Sequence, residues 1–98
     1  MAKNALEQVK SYSDKIRLMV LSVLREECGR ELKLVAKYND EDFDWEQHNR
    51  EFLEDYGDCS LEQLLKYCKH YYGLSNLEAV RERRQQHKEQ KAARLNNN

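Results

Sequence analysis

Apolar residues recur at steps of three and four along most of this chain, a spacing that predicts helices. In the first third, one apolar face contains Leu6, Val9, Tyr12, Ile16, Met19, Val20, Val23 and Leu24. Leu18, Leu21 and Cys28 add a second apolar row, so the middle of this long helix should be covered from two sides. Gly29 is predicted to end the helix, because glycine is favoured at helix C-termini.

Residues 31–38, with the sequence ELKLVAKY, are compatible with two kinds of structure. Their apolar positions alternate as in a strand, yet they also fit one face of a helix. No other segment offers a partner strand, and a lone strand would leave its backbone groups unpaired. A helix or a helical extension is therefore favoured.

Two shorter helices are predicted in the centre of the chain. The first should cover about 43–56 and end at Gly57, with core-facing Trp45, His48, Phe52, Leu53 and Tyr56. The second should run from Leu61 to about Tyr72, with Leu61, Leu64, Leu65, Cys68 and Tyr72 facing inward. Ser60 and Gln63 have the spacing of a capping box at its start, and Gly73 should end it.

The last predicted helix differs from the others because its apolar face is lost soon after Val80. Ser75 and Glu78 have the spacing of a capping box at its start, as Asn4 and Glu7 have for the first helix. A helix without an apolar face gains little from packing and should project. The predicted fold is all-α: a small domain of four or five helices, with a long N-terminal helix and a projecting polar C-terminal helix. Residues 1–76 would form the core and 77–98 a polar basic helix with a disordered tail, within the same domain.

Composition supports one small helical domain. The chain has 98 residues, no proline and three glycines, whereas all-β domains need many turn residues. Three cysteines without paired spacing are typical of reduced thiols, and no export signal or membrane-spanning run is present. We therefore expect a cytoplasmic protein.

Charge is distributed unevenly along the chain, although the net charge is only −1. Residues 39–58 contain nine acidic side chains and one basic side chain, Arg50, which gives −8. Residues 79–94 contain six basic and two acidic side chains, which gives +4. The small net charge excludes a global field that would attract DNA or a membrane, so local surfaces matter more.

The acidic segment has three interpretations. Asp40, Asp42, Asp44 and Glu51 match positions 1, 3, 5 and 12 of a calcium-binding EF-hand loop, but Trp45 replaces the glycine that the turn needs. Alternatively, one of the three aspartates caps the following helix. The third interpretation, which we favour, is a docking surface for a partner protein with a basic surface, with Phe43 as the aromatic left outside the core. Its predicted residues are Asp40, Asp42, Phe43, Asp44, Glu51, Glu54, Asp55 and Asp58.

The basic segment has three interpretations as well. It could be a solvated helix, or it could lie along the acidic segment. It could also contact nucleic-acid phosphates, without base specificity because no aromatic side chain lies in it to stack on bases. The predicted phosphate contacts are Arg81, Arg83, Arg84, Lys88 and Lys91.

No residue pattern in the chain indicates catalysis. The cysteine and histidine spacings match no familiar zinc site, and no glycine-rich phosphate loop is present. We therefore expect no enzyme activity, no metal site and no cofactor. The sequence predicts a small intracellular adaptor or inhibitor that binds another protein, and the alternative is an accessory nucleic-acid-binding protein. A homodimer is a further possibility if Leu18 and Leu21 are exposed.

Overall fold

The computed structural model describes the backbone of residues 5–96 and the side chains of residues 12–94. Its four helices are α1 (Ala5–Tyr38), α2 (Trp45–Tyr56), α3 (Leu61–Tyr72) and α4 (Leu77–Asn96), with no strand in residues 5–96. The all-α class and the long N-terminal helix are confirmed. Within the same range, no helix combines the length and the apolar character that a membrane crossing requires. The Asn4–Glu7 capping box and the end of the predicted tail lie outside the described residues.

The first helix continues through Gly29, so the predicted helix end at that residue is wrong. Gly29 is buried, and a Cβ built on it would lie 2.7 Å from Cη2 of Trp45 and 2.9 Å from Cδ2 of His48. The glycine therefore allows α2 to approach α1 closely. Residues 31–38 are helical, as favoured.

The true end of α1 has the hydrogen bonds of a Schellman motif. The N–H of Glu41 donates to the Ala36 carbonyl (2.7 Å) and the N–H of Asp40 donates to the Lys37 carbonyl (3.2 Å). Asp40 has a φ of 58°, in the left-handed region that glycine usually occupies. The absence of glycine at this position explains why the pattern did not reveal the helix end.

The core forms where the three shorter helices meet the middle of α1, and each of them packs on it. Its buried apolar residues are Val20, Leu21, Val23, Leu24, Phe52, Leu64, Cys68, Leu74 and Val80. The second predicted apolar row of α1 is only partly covered, because Leu21 is buried and Cys28 half-buried whereas Leu18 is exposed. Of the proposed dimer pair, Leu18 therefore remains exposed and Leu21 does not.

The second helix begins at a cap supplied by Asp44, whose carboxylate accepts from the N–H groups of Glu46 (2.9 Å) and Gln47 (3.3 Å). At its other end, the Arg17 guanidinium donates to the Gly57 carbonyl (2.8 Å).

Of the residues predicted to face the core from α2, His48 and Phe52 are buried. Trp45 is only half-buried. Leu53 is 46% exposed and Tyr56 is 36% exposed, so the predicted core face of α2 was too wide.

The third helix has the predicted Ser60–Gln63 capping box, and Gly73 ends it with a φ of 67°. The start of α4 differs from its prediction: Asn76, not Ser75, accepts from the Ala79 N–H at 2.9 Å.

The fourth helix is polar, as predicted, but from Val80 to Lys91 it lies against α1 rather than projecting. Val80 is fully buried and His87 is 5% exposed. The His87 ring lies 2.8 Å from Glu27, and Lys91 lies 3.6 Å from Glu26. Ionic contacts with α1 therefore hold α4 in place, although its sequence has almost no apolar face.

Candidate functional site

The predicted partner-binding carboxylates are all exposed, and they fall into two groups. Asp40, Asp42 and Asp44 lie in or beside the loop between α1 and α2, whereas the other four lie on α2 or just after its end. Asp40 occupies the cap position after α1, and Asp44 caps α2. Two of the loop aspartates thus belong to helix ends.

The loop aspartates face positive charge. Asp40 and Asp42 line an open cavity of about 610 Å³ between the loop and the ends of α1 and α4. The cations that line the same cavity are Arg30, Lys33, Lys37 and Arg94. Among the described side chains, none of these cations lies within 4 Å of Asp40 or Asp42, so the loop carboxylates share the cavity with cations without forming ion pairs.

The EF-hand geometry is not formed. Asp40, Asp42 and Asp44 do not converge with Glu51, and residues 12–94 contain no group of three His, Cys, Asp or Glu side chains arranged to hold a metal ion. The calcium interpretation finds no support in this arrangement.

The second group forms the feature that we name the acidic stripe: Glu51, Glu54, Asp55 and Asp58. Steps of three and four place the first three on one face of α2, and Asp58 follows just beyond the helix end. Among the described side chains, no Lys, Arg or His nitrogen lies within 4 Å of these carboxylates. Glu51 accepts only from the side chain of Gln47, at 3.0 Å. The acidic stripe thus carries negative charge that forms no ion pair with the described side chains.

Phe43 is not a free anchor. It is half-buried, with its ring centroid 5.1 Å from that of Trp45 and 5.8 Å from that of His48. His48 Nε2–H donates to the Arg25 carbonyl at 2.9 Å, which ties this aromatic cluster to α1. Phe43 therefore lies outside the hydrophobic core, but it packs on Trp45 rather than standing free.

A different aromatic surface lies between α2 and α3, and we name it the tyrosine groove. Its walls are Tyr56, Tyr67, Tyr71 and Tyr72, and its volume is about 230 Å³. Leu24, Cys28 and Phe52 form its floor, and Glu31 lies at its edge.

The rings of the tyrosine groove form a continuous series from α2 to α3. Centroid separations are 4.7 Å for Phe52–Tyr56, 5.8 Å for Tyr56–Tyr67 and 6.2 Å for Tyr67–Tyr71. Tyr71 is 64% exposed. Sequence reasoning missed this surface, although the four-residue step from Tyr67 to Tyr71 could have indicated it.

Burial and negative charge both act on the ionisable groups of the groove. Burial, with contributions from Glu31 and Cys28, raises the pKa of Tyr72, whose hydroxyl donates to Glu31 (3.5 Å). Burial, followed by Cys28 and then Asp55, raises the pKa of Tyr56. Both tyrosines are therefore neutral near pH 7, and Asp55 of the acidic stripe directly precedes Tyr56 on α2.

The candidate nucleic-acid residues do not form one free surface. Arg83 donates to Glu27 at 2.7 Å and Lys91 lies 3.6 Å from Glu26, so both are turned toward α1. The remaining three, Arg81, Arg84 and Lys88, lie at steps of three and four along one flank of α4. Among the described side chains these three form no ion pair, although Arg81 donates to the Tyr12 hydroxyl at 3.4 Å.

The contacts between α1 and α4 form a partly buried ionic cluster. Burial opposes the charge on Glu26, but Lys91, Arg30 and His87 outweigh it and lower the pKa of this carboxyl. Glu27 accepts from both Arg83 and His87. The basic helix therefore pairs with these two glutamates of α1, and not with the acidic stripe.

No family model matches the chain, and comparisons with curated proteins and with solved structures also give no match.

Proposed function

We propose that this chain is a small, non-catalytic, cytoplasmic regulator, an adaptor or an inhibitor, that binds a partner protein with a basic surface. The observation that carries the proposal is the acidic stripe, four exposed carboxylates with no cation of residues 12–94 within ion-pair distance. Clustered charge of one sign repels itself, and a partner of opposite charge relieves that repulsion and accelerates encounter.

The docking surface that we propose is narrower than the one predicted from the sequence. Asp40 and Asp42 share an open cavity with four cations, Asp44 caps α2, and Phe43 packs on Trp45. Glu51, Glu54, Asp55 and Asp58 remain. The tyrosine groove supplies the apolar contact that charge alone lacks, because interfaces gain most of their affinity from a few buried aromatic anchors.

Asp55 joins the two surfaces. It follows Phe52 of the groove floor by three residues, so the two side chains lie on the same side of α2.

The acidic stripe can be tested with random dodecapeptides displayed on phage and selected on the immobilised chain. Selected peptides should be rich in Lys and Arg, and raising the salt from about 0.05 to 0.5 M should weaken their binding because screening increases. The double variant Glu51→Lys/Glu54→Lys should lose at least about tenfold in affinity.

The matched control is Glu82→Lys/Glu89→Lys on α4, which makes the same change in net charge at a distance from the stripe. Equal loss in both double variants would mean that only net charge matters, and selection of neutral or acidic peptides would exclude the proposed surface.

The alternative, phosphate binding by α4, has the flank of Arg81, Arg84 and Lys88 in its favour. Two of its five predicted cations already pair with Glu26 and Glu27, and the acidic stripe would repel the same phosphates. Titration of random duplex DNA separates the two functions, since the alternative requires a steep salt slope that flattens in Arg81→Ala/Lys88→Ala.

A further inference from the structure

The tyrosine groove combines three properties: a series of neighbouring aromatic rings, an apolar floor and a carboxylate at the edge. We infer that it receives a single arginine side chain from the basic segment of the partner. This inference rests on the proposed function and specifies which residue of the partner provides the anchor.

The size of the groove favours a single side chain. Its volume of about 230 Å³ is below the roughly 300–1,000 Å³ of sites for cofactors and other small molecules. Its floor, made by Leu24, Cys28 and Phe52, suits the methylene stem of a long side chain, because such stems pack on apolar surface while their charged ends stay near water.

The walls of the groove favour a cation. Tyrosine rings attract cations to their faces, and arginine is found there more often than lysine. Tyr71 is 64% exposed and Tyr56 is 36% exposed, so both remain accessible beside the half-buried Tyr67. A planar guanidinium can also stack on these rings, which a lysine ammonium cannot do.

The edge of the groove provides the opposite charge. Glu31 accepts from the Tyr72 hydroxyl at 3.5 Å, and among the described side chains no cationic nitrogen lies within 4 Å of it. A guanidinium in the groove would therefore meet an unpaired carboxylate whose orientation Tyr72 supports. Charged hydrogen bonds of this kind are among the strongest that proteins make.

The acidic stripe beside the groove favours an arginine that lies within a basic segment of the partner rather than an arginine without neighbouring cations. Asp55 of the stripe directly precedes Tyr56 of the groove on α2, so the two surfaces adjoin at this point. A partner segment with further Lys or Arg residues would pair them with Glu51 and Glu54 while one arginine enters the groove.

The inference can be tested with Nα-acetyl-arginine-amide, titrated into the isotope-labelled full chain and followed by NMR. We expect shifts centred on Cys28, Phe52, Tyr67 and Tyr71. The neutral isostere Nα-acetyl-citrulline-amide should bind at least about tenfold more weakly. Equal binding of citrulline, or shifts centred elsewhere, would overturn the inference, and so would tighter binding of the lysine or trimethyllysine amide.

Two variants test the groove directly. Tyr71→Leu keeps an apolar side chain at an exposed position but removes the ring, and Glu31→Gln removes the charge; each should weaken arginine-amide binding about tenfold. Tyr12→Leu is the matched control, because Tyr12 is also exposed (60%) but lies on another part of α1. Circular dichroism verifies that each variant folds, and unchanged binding in a folded Tyr71→Leu chain would overturn the inference.

The same reagents separate failure of this inference from failure of the proposed function. Basic peptides that require Glu51 and Glu54 but tolerate Tyr71→Leu would retain the function and exclude the arginine groove. If arginine amide binds in the groove but no basic peptide is selected, the arginine groove would be retained and the proposed function excluded.

Discussion

Gly29 has a packing role against Trp45 that its residue type alone does not reveal. Glycine in mid-helix costs about 1 kcal/mol relative to alanine. Here it leaves room for the Trp45 ring, which would otherwise meet a Cβ at 2.7 Å. Close packing of α2 on α1 offsets the lost helix propensity.

We expect Gly29→Ala to lower the free energy of unfolding by about 1–3 kcal/mol, because the added methyl overpacks the contact with Trp45 and His48. Urea unfolding followed by circular dichroism measures this change. In a Trp45→Ala background the same substitution should cost much less, since most of the clash is gone. If Gly29→Ala lowers the free energy of unfolding equally in both backgrounds, the loss arises within α1 and not from the contact with Trp45.

Asp40 and Gly73 hold the same left-handed conformation with different side chains. The φ of Asp40 is 58° and that of Gly73 is 67°. Only glycine adopts this region without a steric penalty, although aspartate tolerates it better than most residues.

At both positions, glycine should therefore be more stable than alanine. Asp40→Gly should be more stable than Asp40→Ala by about 1 kcal/mol, and Gly73→Ala should be less stable than the native chain by about 1 kcal/mol. Thermal or urea unfolding provides the comparison. Glycine and alanine both lack the carboxylate, so the difference in unfolding free energy between Asp40→Gly and Asp40→Ala isolates the backbone effect. Equal stability of these two variants would contradict the prediction.

At the scale of the elements, α4 shows how a helix with almost no apolar face can still be held in place. Val80 enters the core, and beyond it Glu26 and Glu27 of α1 hold Arg83, His87 and Lys91. Ion pairs need both charges, so this contact should depend on pH and salt far more than α3, which packs through Leu64 and Cys68.

The pH dependence follows from Glu26, whose pKa is lowered from the ordinary 4.5. A carboxyl with a lowered folded-state pKa contributes stability above its unfolded pKa and loses it as the pH falls through the folded value. We therefore expect Glu26→Gln to be less stable than the native chain at pH 7 and the two urea midpoints to converge as the pH falls below about 4.5. Glu82→Gln, at an exposed position of α4, should show no such convergence. Parallel curves for Glu26→Gln and the native chain would contradict this account.

At the scale of the whole molecule, one core involves all four helices, and Cys68 lies inside it with no exposed surface. Burial raises the pKa of its thiol to about 11, so the thiolate that reacts is scarce near neutral pH. Cys59 lies half-buried in the connection before α3.

We expect Cys59 to react first with a disulfide reagent at about pH 8. Cys68 should be modified only through global unfolding. Its rate should then rise with urea in proportion to the unfolded fraction, whereas the Cys59 rate should change little. Single-cysteine variants followed by mass spectrometry measure both rates. Fast modification of Cys68 without urea would show that the core opens locally.

The molecule places the acidic stripe and the tyrosine groove next to each other, and this adjacency supports the proposed partner binding. The stripe could be predicted from the sequence because its four carboxylates follow one another at helical spacing. The groove was not, since Tyr56 comes from α2 and Tyr67 from α3, and their ring centroids are 5.8 Å apart only after the helices have packed.

Local patterns alone determined the helical class, the long first helix and the caps of α3, because helix spacing, Ser60 and Gly73 act within a few residues of chain. Only the tertiary structure decided the use of Gly29, the docking of α4 and the cavity that Asp40 and Asp42 share with four cations. Each of these features depends on side chains that are distant in sequence and become neighbours only in the folded chain. For the same reason, the surface that remains free for a partner became defined only after the helices had packed.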